Sequence, residues 1–514
     1  MKILFLLIVI LKIFLSPIES FSQQDSLGLS LNLLSTFSTS KIPNHYIRSN
    51  KFGIIPNESS NFVLQPKIFY HKYFLNENLK ISGKLDWLIN NNTSYFQQYL
   101  AKIDFKNIFS LSFGAEELTR GLPYPSLSSG SLGLSNNARP MPRISVGIPE
   151  FVGIPFTFGY LEIKGMISHG WFEKDRIASS PLLHEKFVVF RAGGKLPVRF
   201  KAGLFHFAQW GGQRNGIFLG ESIDDFFRVV FAKPSSSDES ILFGEAANVL
   251  GNHLGTIDFG IEVLTNSFNF ETYHQTPFED NTGTKRFWRK NRDRLLGFKI
   301  TPNKFKYVNN FLYEYVYTLQ QTHPGLNIPT GNLPDYGYGY GGRDNYYNNY
   351  LYKSGWTYYG RILGTPLFDT NEEVLFYNPE FVDPDAKWNF KILNNRIKAH
   401  HFGIEGEISQ SVNYKFLSTY TENYGNYGGL NGGMDKWGSR DPNYNFDYYF
   451  DPPRKQWYFL LETNWHVPKW ENFNFTTSLA LDQGEMTDNF GIMLGIEYQP
   501  VIRINNKKQR KVSE

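Results

Sequence analysis

The chain has 514 residues, of which 41% are hydrophobic and 17% aromatic, a composition that favours a packed structure over intrinsic disorder. Its 52 basic and 48 acidic residues leave a net charge of +4, which is too balanced for a nucleic-acid-binding protein. Because the chain has no cysteine, disulfides, thiolate nucleophiles and cysteine-type zinc sites are excluded.

The first 22 residues have the features of a secretory signal peptide. Lys2 precedes an apolar run that only Lys12 interrupts, and the small residues Ser20 and Ser22 allow cleavage before Gln23. The alternative is an uncleaved anchor, but the run is shorter than the roughly 20 apolar residues that a spanning helix needs. We therefore predict export, and we assign residues 23–57 to an N-terminal periplasmic segment.

Apolar and polar residues alternate along nearly the whole mature chain. In residues 79–89, for example, Ile81 and Leu85 oppose Lys84 and Asp86. Such segments run for about ten residues, as tilted membrane-spanning strands do, whereas soluble strands centre on about five or six. Aromatic residues lie near the segment ends, as they do in the interfacial girdles of membrane barrels: Trp87, Tyr99, Trp171, Trp457, Trp465 and Tyr498.

This pattern predicts an all-β fold, a transmembrane antiparallel β-barrel of about 16–18 strands over residues 58–504. A basic tail at residues 505–514 follows the last strand. The alternative is a soluble β-sandwich or propeller, for which we expect shorter strands and fewer aromatic residues on one face. The chain shows no repeat of about 20–50 residues, which argues against a propeller.

Residues 221–251 break the β pattern. Ser222 has the position of a helix N-cap, with Asp225 three residues later. Two stripes of apolar residues then follow helical spacing, which predicts a short helical hairpin packed on the barrel mouth or folded into its lumen. The stretches 114–143, 323–360 and 422–455 are too long for turns, and we expect long loops that plug the barrel or form binding surfaces.

One tract resembles the signature of a known family. Residues 131–143 (SLGLSNNARPMPR) are similar to the signature of the Wzi capsule-assembly family of Gram-negative outer-membrane proteins. Further similar segments lie at residues 44–56, 206–212, 251–255 and 489–498. The resemblance implies an outer-membrane barrel of about 18 strands with extra helical elements. It also implies a lectin-like, non-catalytic role in attaching or organising capsular polysaccharide. Two features depart from it: residues 23–57 are too few for a substantial helical bundle, and the basic tail extends beyond the last strand.

The signature itself indicates a fixed inward loop. Its two prolines restrict the backbone, Asn136 and Asn137 can bond to nearby backbone groups, and Arg139 and Arg143 can pair with lumenal carboxylates. We predict that these four residues belong to a lumen or plug loop, with direct ligand contact as the alternative.

Aromatic residues and arginines are concentrated in two of the long loops. Tyr and Trp suit stacking on sugar faces, and Arg suits the carboxylates of uronic acids. The alternative is an aromatic girdle with loops that pack on themselves. The candidate carbohydrate-binding residues are Tyr336, Tyr338, Tyr340, Arg343, Tyr346, Tyr347, Trp356, Trp437 and Arg440.

The resemblance to the Wzi family, together with the aromatic loops, implies a non-enzymatic outer-membrane protein, expected as a monomer, that binds or anchors capsular polysaccharide at the cell surface. We expect no catalytic residues, cofactor or metal, and the partners expected are surface polysaccharide and outer-membrane lipid. One alternative is an outer-membrane porin or diffusion channel for sugars, and a less favoured one is a secreted carbohydrate-active enzyme.

Overall fold

In the computed structural model, an 18-stranded antiparallel sheet closes on itself as a β-barrel. The structure describes residues 26–75, 78–234, 249–279, 291–321, 345–377, 390–426, 450 and 452–500. Each strand pairs with the next along the chain, and β1 also pairs with β18. The strands are β1 Ser26–Ser38, β2 Ser60–Phe74, β3 Leu79–Asn90, β4 Ser94–Phe105, β5 Phe109–Ala115, β6 Pro142–Gly153, β7 Leu161–Trp171, β8 Leu182–Ala192, β9 Val198–Trp210, β10 Asn252–Leu264, β11 Phe268–Phe278, β12 Arg294–Pro302, β13 Asn310–Tyr317, β14 Ile397–Ser409, β15 Val412–Asn423, β16 Arg454–His466, β17 Phe473–Gly484 and β18 Asn489–Tyr498.

The alternation in the sequence separates the exterior of the barrel from its lumen, which confirms the predicted fold. On the exterior, Phe113, Val146 and Leu494 are 57%, 55% and 54% exposed. On the lumenal side Asp86 is fully buried, and its Oδ2 accepts hydrogen bonds from Gln65 Nε2 at 2.9 Å and Gln98 Nε2 at 3.0 Å. An apolar exterior around a polar inner wall is the arrangement that a strand needs when one face contacts lipid.

The barrel begins earlier in the chain than the sequence predicted. Residues 23–57 were assigned to a segment preceding the barrel, but Ser26–Ser38 is a wall strand. This strand is paired on both sides, with Leu33 opposite Leu64 of β2 and Ile496 of β18. Without it the cylinder would have two open edges, and unpaired backbone is not tolerated in lipid. The predicted signal peptide and basic tail lie outside the described residues.

All long connections emerge at one end of the barrel, which we call the long-loop end. They are residues 39–59, 116–141, 211–251, 279–293, 318–396 and 424–453. The opposite, short-turn end carries the first residue of β1, the last residue of β18 and short turns such as residues 265–267 and 410–411. Bacterial outer-membrane barrels have short periplasmic turns and longer extracellular loops, and this chain has the same asymmetry.

In the described residues of the long connections, the structure has three short helices: α1 (His45–Arg48), α2 (Ile223–Val230) and α3 (Asn371–Tyr377). Helix α2 begins at the predicted cap, where Ser222 Oγ accepts a hydrogen bond from Asp225 N at 3.1 Å. It packs on the outer wall near the long-loop end rather than in the lumen, which corrects one of the two predicted positions. The second half of the predicted hairpin, residues 235–248, lies outside the described residues. No helix in the described part of the chain is long and apolar enough to cross a membrane.

Candidate functional site

Three described segments from the long-loop end fill the lumen, and together we call them the plug. The first segment is residues 39–59, the second is residues 116–141, and the third is residues 345–377 with 390–396. Their apolar side chains are buried with inward-facing wall residues in one continuous core. The main contributors are Tyr46, Ile47, Ile55, Leu127, Leu132, Leu134, Met141, Tyr346, Tyr347, Trp356, Leu363 and Phe368. At this level the interior of the barrel is therefore a packed core, where an open porin has an aqueous channel.

Polar wall residues fasten the plug at defined points. Glu314 of β13 accepts hydrogen bonds from Ser128 Oγ at 2.7 Å and from Ser129 N at 2.7 Å. Gln275 of β11 accepts one from Leu132 N at 2.7 Å. These bonds satisfy backbone and hydroxyl groups that would otherwise be buried without partners, so they fix the height and rotation of the plug.

A buried charge cluster provides a further attachment. Glu185 of β8 pairs with Arg120 of the plug and with Arg143 at the start of β6. The Glu185 side chain is 1% exposed and the Arg143 side chain 5% exposed. One carboxylate thus pairs with two guanidinium groups at a largely buried position, with one of its oxygens on each arginine.

The signature residues lie in the plug and the wall beside it. Asn137 Nδ2 donates to Ile362 O at 2.9 Å, and Asn136 O accepts a hydrogen bond from Phe52 N. Asn137 and Arg143 are buried. These contacts join the second plug segment to the first and third, which gives the residues a structural role here.

Three candidate carbohydrate-binding residues are packing residues, which corrects their predicted role. Trp356 is fully buried and its Nε1 donates to Gly133 O at 2.8 Å. Tyr347 OH donates to Leu132 O at 2.6 Å, and Tyr346 OH donates to Asp293 Oδ2 at 2.8 Å. Because the rings lie inside the core, their faces have no room for a sugar. Tyr336, Tyr338, Tyr340, Arg343, Trp437 and Arg440 lie outside the described residues.

A surface at the long-loop end has the chemistry that the sequence suggested for those loops. The guanidinium carbon of Arg139 lies 3.7 Å from the ring centroid of Tyr95 and 4.2 Å from that of Tyr359. Tyr359 is 54% exposed, and its N–H donates to Glu173 Oε1 at 3.2 Å. We call Tyr95, Arg139 and Tyr359 the arginine stack. Tyr359 belongs to the predicted long loop of residues 323–360, which is rich in Tyr, whereas nothing in the sequence around Tyr95 indicated its contribution.

An ionisable cluster joins the first and third plug segments. Arg48 of α1 pairs with Glu373 of α3, and both are buried. Burial raises the pKa of Asp369 to about 7, and the Glu373 carboxylate adds to the effect. Burial also favours neutral Glu373, but Arg48 outweighs it and holds the pKa of Glu373 below its usual value. Among the described residues, no group of three or more His, Asp or Glu is arranged to hold a metal ion.

Comparisons with known proteins identify the family. The family model described as "Capsule assembly protein Wzi" matches residues 44–377. The chain belongs to this family. The outer-membrane protein Wzi of Escherichia coli, described as a carbohydrate-binding β-barrel involved in group 1 capsule assembly, has a similar fold with a TM-score of 0.53. Its sequence is 14% identical, and the superposition covers 92% of this chain and 85% of that one.

Two crystal structures from Pseudomonas aeruginosa, OccK5 (OpdH) and OprD, match with a TM-score of 0.46 and 10% identity. Each superposition covers 94% of this chain, and they cover 100% of OccK5 and 97% of OprD. No curated protein sequence matches the chain. The resemblance expected from the signature tract is thus confirmed, and the matched residues of the Wzi family include α1, the second plug segment and α3.

The ionisable cluster predicts a pH dependence within the plug. Because the folded-state pKa of Asp369 lies above its unfolded value, its contribution to stability is complete below pH 4 and is lost as the pH rises through about 7. Asp369→Asn keeps a side-chain oxygen that can accept the hydrogen bond from Asn394 Nδ2, but the amide group does not titrate. The quantity compared is the ratio of the α3 amide hydrogen-exchange rate at pH 8 to that at pH 5, corrected for intrinsic exchange rates. We expect this ratio to be larger in the wild-type protein than in the variant. All other titrating groups are common to the two proteins, and an identical ratio in the two proteins would contradict the assignment.

Proposed function

We propose that this protein is a non-catalytic outer-membrane protein that binds capsular polysaccharide at the cell surface and thereby retains it there. The observation that carries the proposal is the family match over residues 44–377, which includes the second plug segment and most of the first and third. The printed description of the Escherichia coli relative as a carbohydrate-binding β-barrel supports the same role. A barrel whose lumen is packed offers its long-loop end as a surface, and extracellular loops are where binding residues are commonly placed.

The geometry gives less support to catalysis or diffusion. The polar cavity between plug and wall, lined by Lys102, Glu117, Arg120, Glu150 and Lys164 among others, has a volume of about 230 Å³. Small-molecule sites usually measure roughly 300–1,000 Å³, so this cavity is small for a sugar chain. Solute passage would in addition require the plug to leave the lumen.

The arginine stack is the described surface that we propose for contact with the glycan. Tyr359 is the member with an exposed ring, and Arg139 places a delocalised cation against it. A ring face beside a guanidinium suits sugars that carry carboxylate groups. The candidates outside the described residues remain sequence-based predictions for sugar contact: Tyr336, Tyr338, Tyr340, Arg343, Trp437 and Arg440.

A deletion and complementation series tests the function. In a strain that lacks the gene, we expect total polysaccharide to stay at the wild-type level while most of it moves from the cells to the medium. A capsule stain and a uronic-acid assay of pellet and supernatant measure this distribution. Unchanged surface capsule in the deletion strain would contradict the proposal, and loss of total polysaccharide would point to synthesis instead.

The same series tests the arginine stack. Tyr359→Ala removes the exposed ring, whereas Tyr359→Phe keeps the ring and its contact with Arg139. An exposed cation–π or stacking contact contributes about 0.5–1 kcal/mol, so we expect a roughly two- to fivefold loss of affinity for purified polysaccharide in the alanine variant only. Equal affinity of both variants would exclude the stack as a contact, without bearing on capsule retention by other residues.

A further inference from the structure

Helix α2 lies on the outside of the barrel wall, against strands β7, β8 and β9. The chain reaches it by reversing direction directly after β9, where Gly211 and Gly212 have φ values of +65° and +80°. The ring of Phe226 lies 6.1 Å from that of Trp210 and 5.8 Å from that of His169, centroid to centroid. Both partners belong to the outward row of their strands, since their neighbours Gln209 and Ser168 face the lumen.

The wall beneath α2 is unusually polar for a lipid-facing surface. His184 and His206, which also point outward, are 0% and 7% exposed. His206 Nε2 lies 2.8 Å from His253 Nδ1, and Lys186 Nζ donates to Val230 O at the end of α2. Ionisable side chains on the lipid face of a barrel are costly, and α2 is the element that separates these residues from hydrocarbon.

The remaining surface of α2 is divided into an apolar and a polar side. Ile223, Phe227 and Phe231, spaced four residues apart, are 73%, 51% and 64% exposed. Asp224 and Arg228 form an ion pair next to this stripe, with a distance of 2.6 Å from Arg228 Nε to Asp224 Oδ2. Residues four apart share a helix face, so α2 has one face on the wall, one apolar face that is uncovered, and a charged edge.

We propose that α2 is an interfacial membrane helix, whose stripe of Ile223, Phe227 and Phe231 inserts into the acyl chains of the leaflet at the long-loop end. Its charged edge then faces the headgroups, and its inner face shields the histidines of the wall. This inference rests on the outer-membrane location in the proposed function, and it is independent of polysaccharide binding.

Continuity with the lipid-facing wall favours lipid over a protein partner. Ile167 and Trp171, which belong to the same outward row as His169, are also exposed, so the stripe extends an existing apolar surface. Three partly exposed side chains supply roughly 300–400 Å², whereas a stable protein interface buries about 800 Å² on each partner. Interfacial helices of this kind bury their apolar face about 5–10 Å into the boundary between headgroups and chains.

The absence of native cysteine makes a single-site probe experiment possible. Full-length Phe227→Cys, Asp224→Cys and Leu494→Cys proteins are labelled with an environment-sensitive fluorophore and folded into dioleoylphosphatidylcholine vesicles. Each labelled protein is then measured with two kinds of quencher. One is a lipid that carries a doxyl group near the carbonyl end or near the methyl end of its acyl chain, and the other is aqueous iodide. Leu494 is an exposed wall residue in the middle of β18 and serves as the reference for lipid contact.

We expect the Phe227 probe to be quenched by doxyl lipid, more strongly with the doxyl group near the carbonyl end, and the Asp224 probe to be quenched by iodide. Iodide quenching of both helix probes to the same extent would overturn the proposal. Quenching of the Phe227 probe by neither agent, with self-quenching between labelled copies, would also overturn it and indicate a second copy as the partner. If the Leu494 probe were not quenched by doxyl lipid, the outer-membrane location itself would fail, which separates the two inferences.

Discussion

The intact chain in a planar lipid bilayer is expected to leave the conductance at the level of the bare membrane, and deletion of residues 121–133 is expected to produce stepwise, porin-like conductance. An 18-stranded cylinder is wide enough for an aqueous channel when its lumen is empty. Here Leu127 and Leu132 of the deleted segment are buried in the lumenal core. Their removal, together with Ser128 and Ser129, frees space along β11 and β13.

The structure allows this deletion with little strain on the wall. Arg120 N donates to Leu134 O at 2.9 Å, so the cut ends lie side by side and a short Gly-Ser linker can join them. Deletion of residues 155–160 is a matched control, because Ile154 N donates to Leu161 O at 2.9 Å and the removed turn is at the short-turn end, away from the plug. Open-channel conductance of the intact chain would contradict the packed lumen and revive the diffusion-channel alternative. A silent but folded 121–133 deletion would show that the other two plug segments seal the barrel alone.

The wall could be predicted from sequence because lipid and lumen impose opposite chemistry on neighbouring residues. Leu85 and Asp86 differ in burial as the alternation requires, with Leu85 half exposed and Asp86 fully buried. Strand β1 was missed even though Leu27, Leu29, Leu31 and Leu33 alternate with smaller polar residues. Its assignment depends on pairing with β18 at the other end of the chain, and that contact has no local signature.

The site was harder to predict because composition does not reveal which aromatic rings are buried and which are exposed. Trp356 and Tyr359 lie three residues apart in the same aromatic stretch, yet one is fully buried and the other is 54% exposed. Helix α2 illustrates the same limit. Its cap and spacing are local and were predicted, whereas its position on the exterior depends on the turn at Gly211 and Gly212 and on which wall its apolar side contacts.

Glu185→Ala is expected to destabilise the folded barrel by about 3–5 kcal/mol, because removal of one partner leaves buried charge without compensation. Both Arg120 and Arg143 depend on this one carboxylate, and their side chains are 11% and 5% exposed. Without it the two guanidinium groups, which also line the polar cavity between plug and wall, repel each other with no carboxylate between them. Arg120 can escape only if the second plug segment leaves the wall. We therefore expect earlier proteolytic cleavage within residues 116–141 in addition to a lower denaturant midpoint in vesicles.

Glu162→Ala provides the matched control on the neighbouring strand. Glu162 of β7 pairs with Arg191 of β8, but these side chains are 22% and 21% exposed, so the change should cost less than about 1 kcal/mol. A triple variant with methionine at positions 120, 143 and 185 separates charge from packing. Since buried ion clusters are often replaced by apolar side chains without loss, it should recover most of the stability that Glu185→Ala loses. Equal losses in the Glu185 and Glu162 variants would mean that the cluster is hydrated, and that hydrogen bonds such as those to Glu314 hold the plug instead.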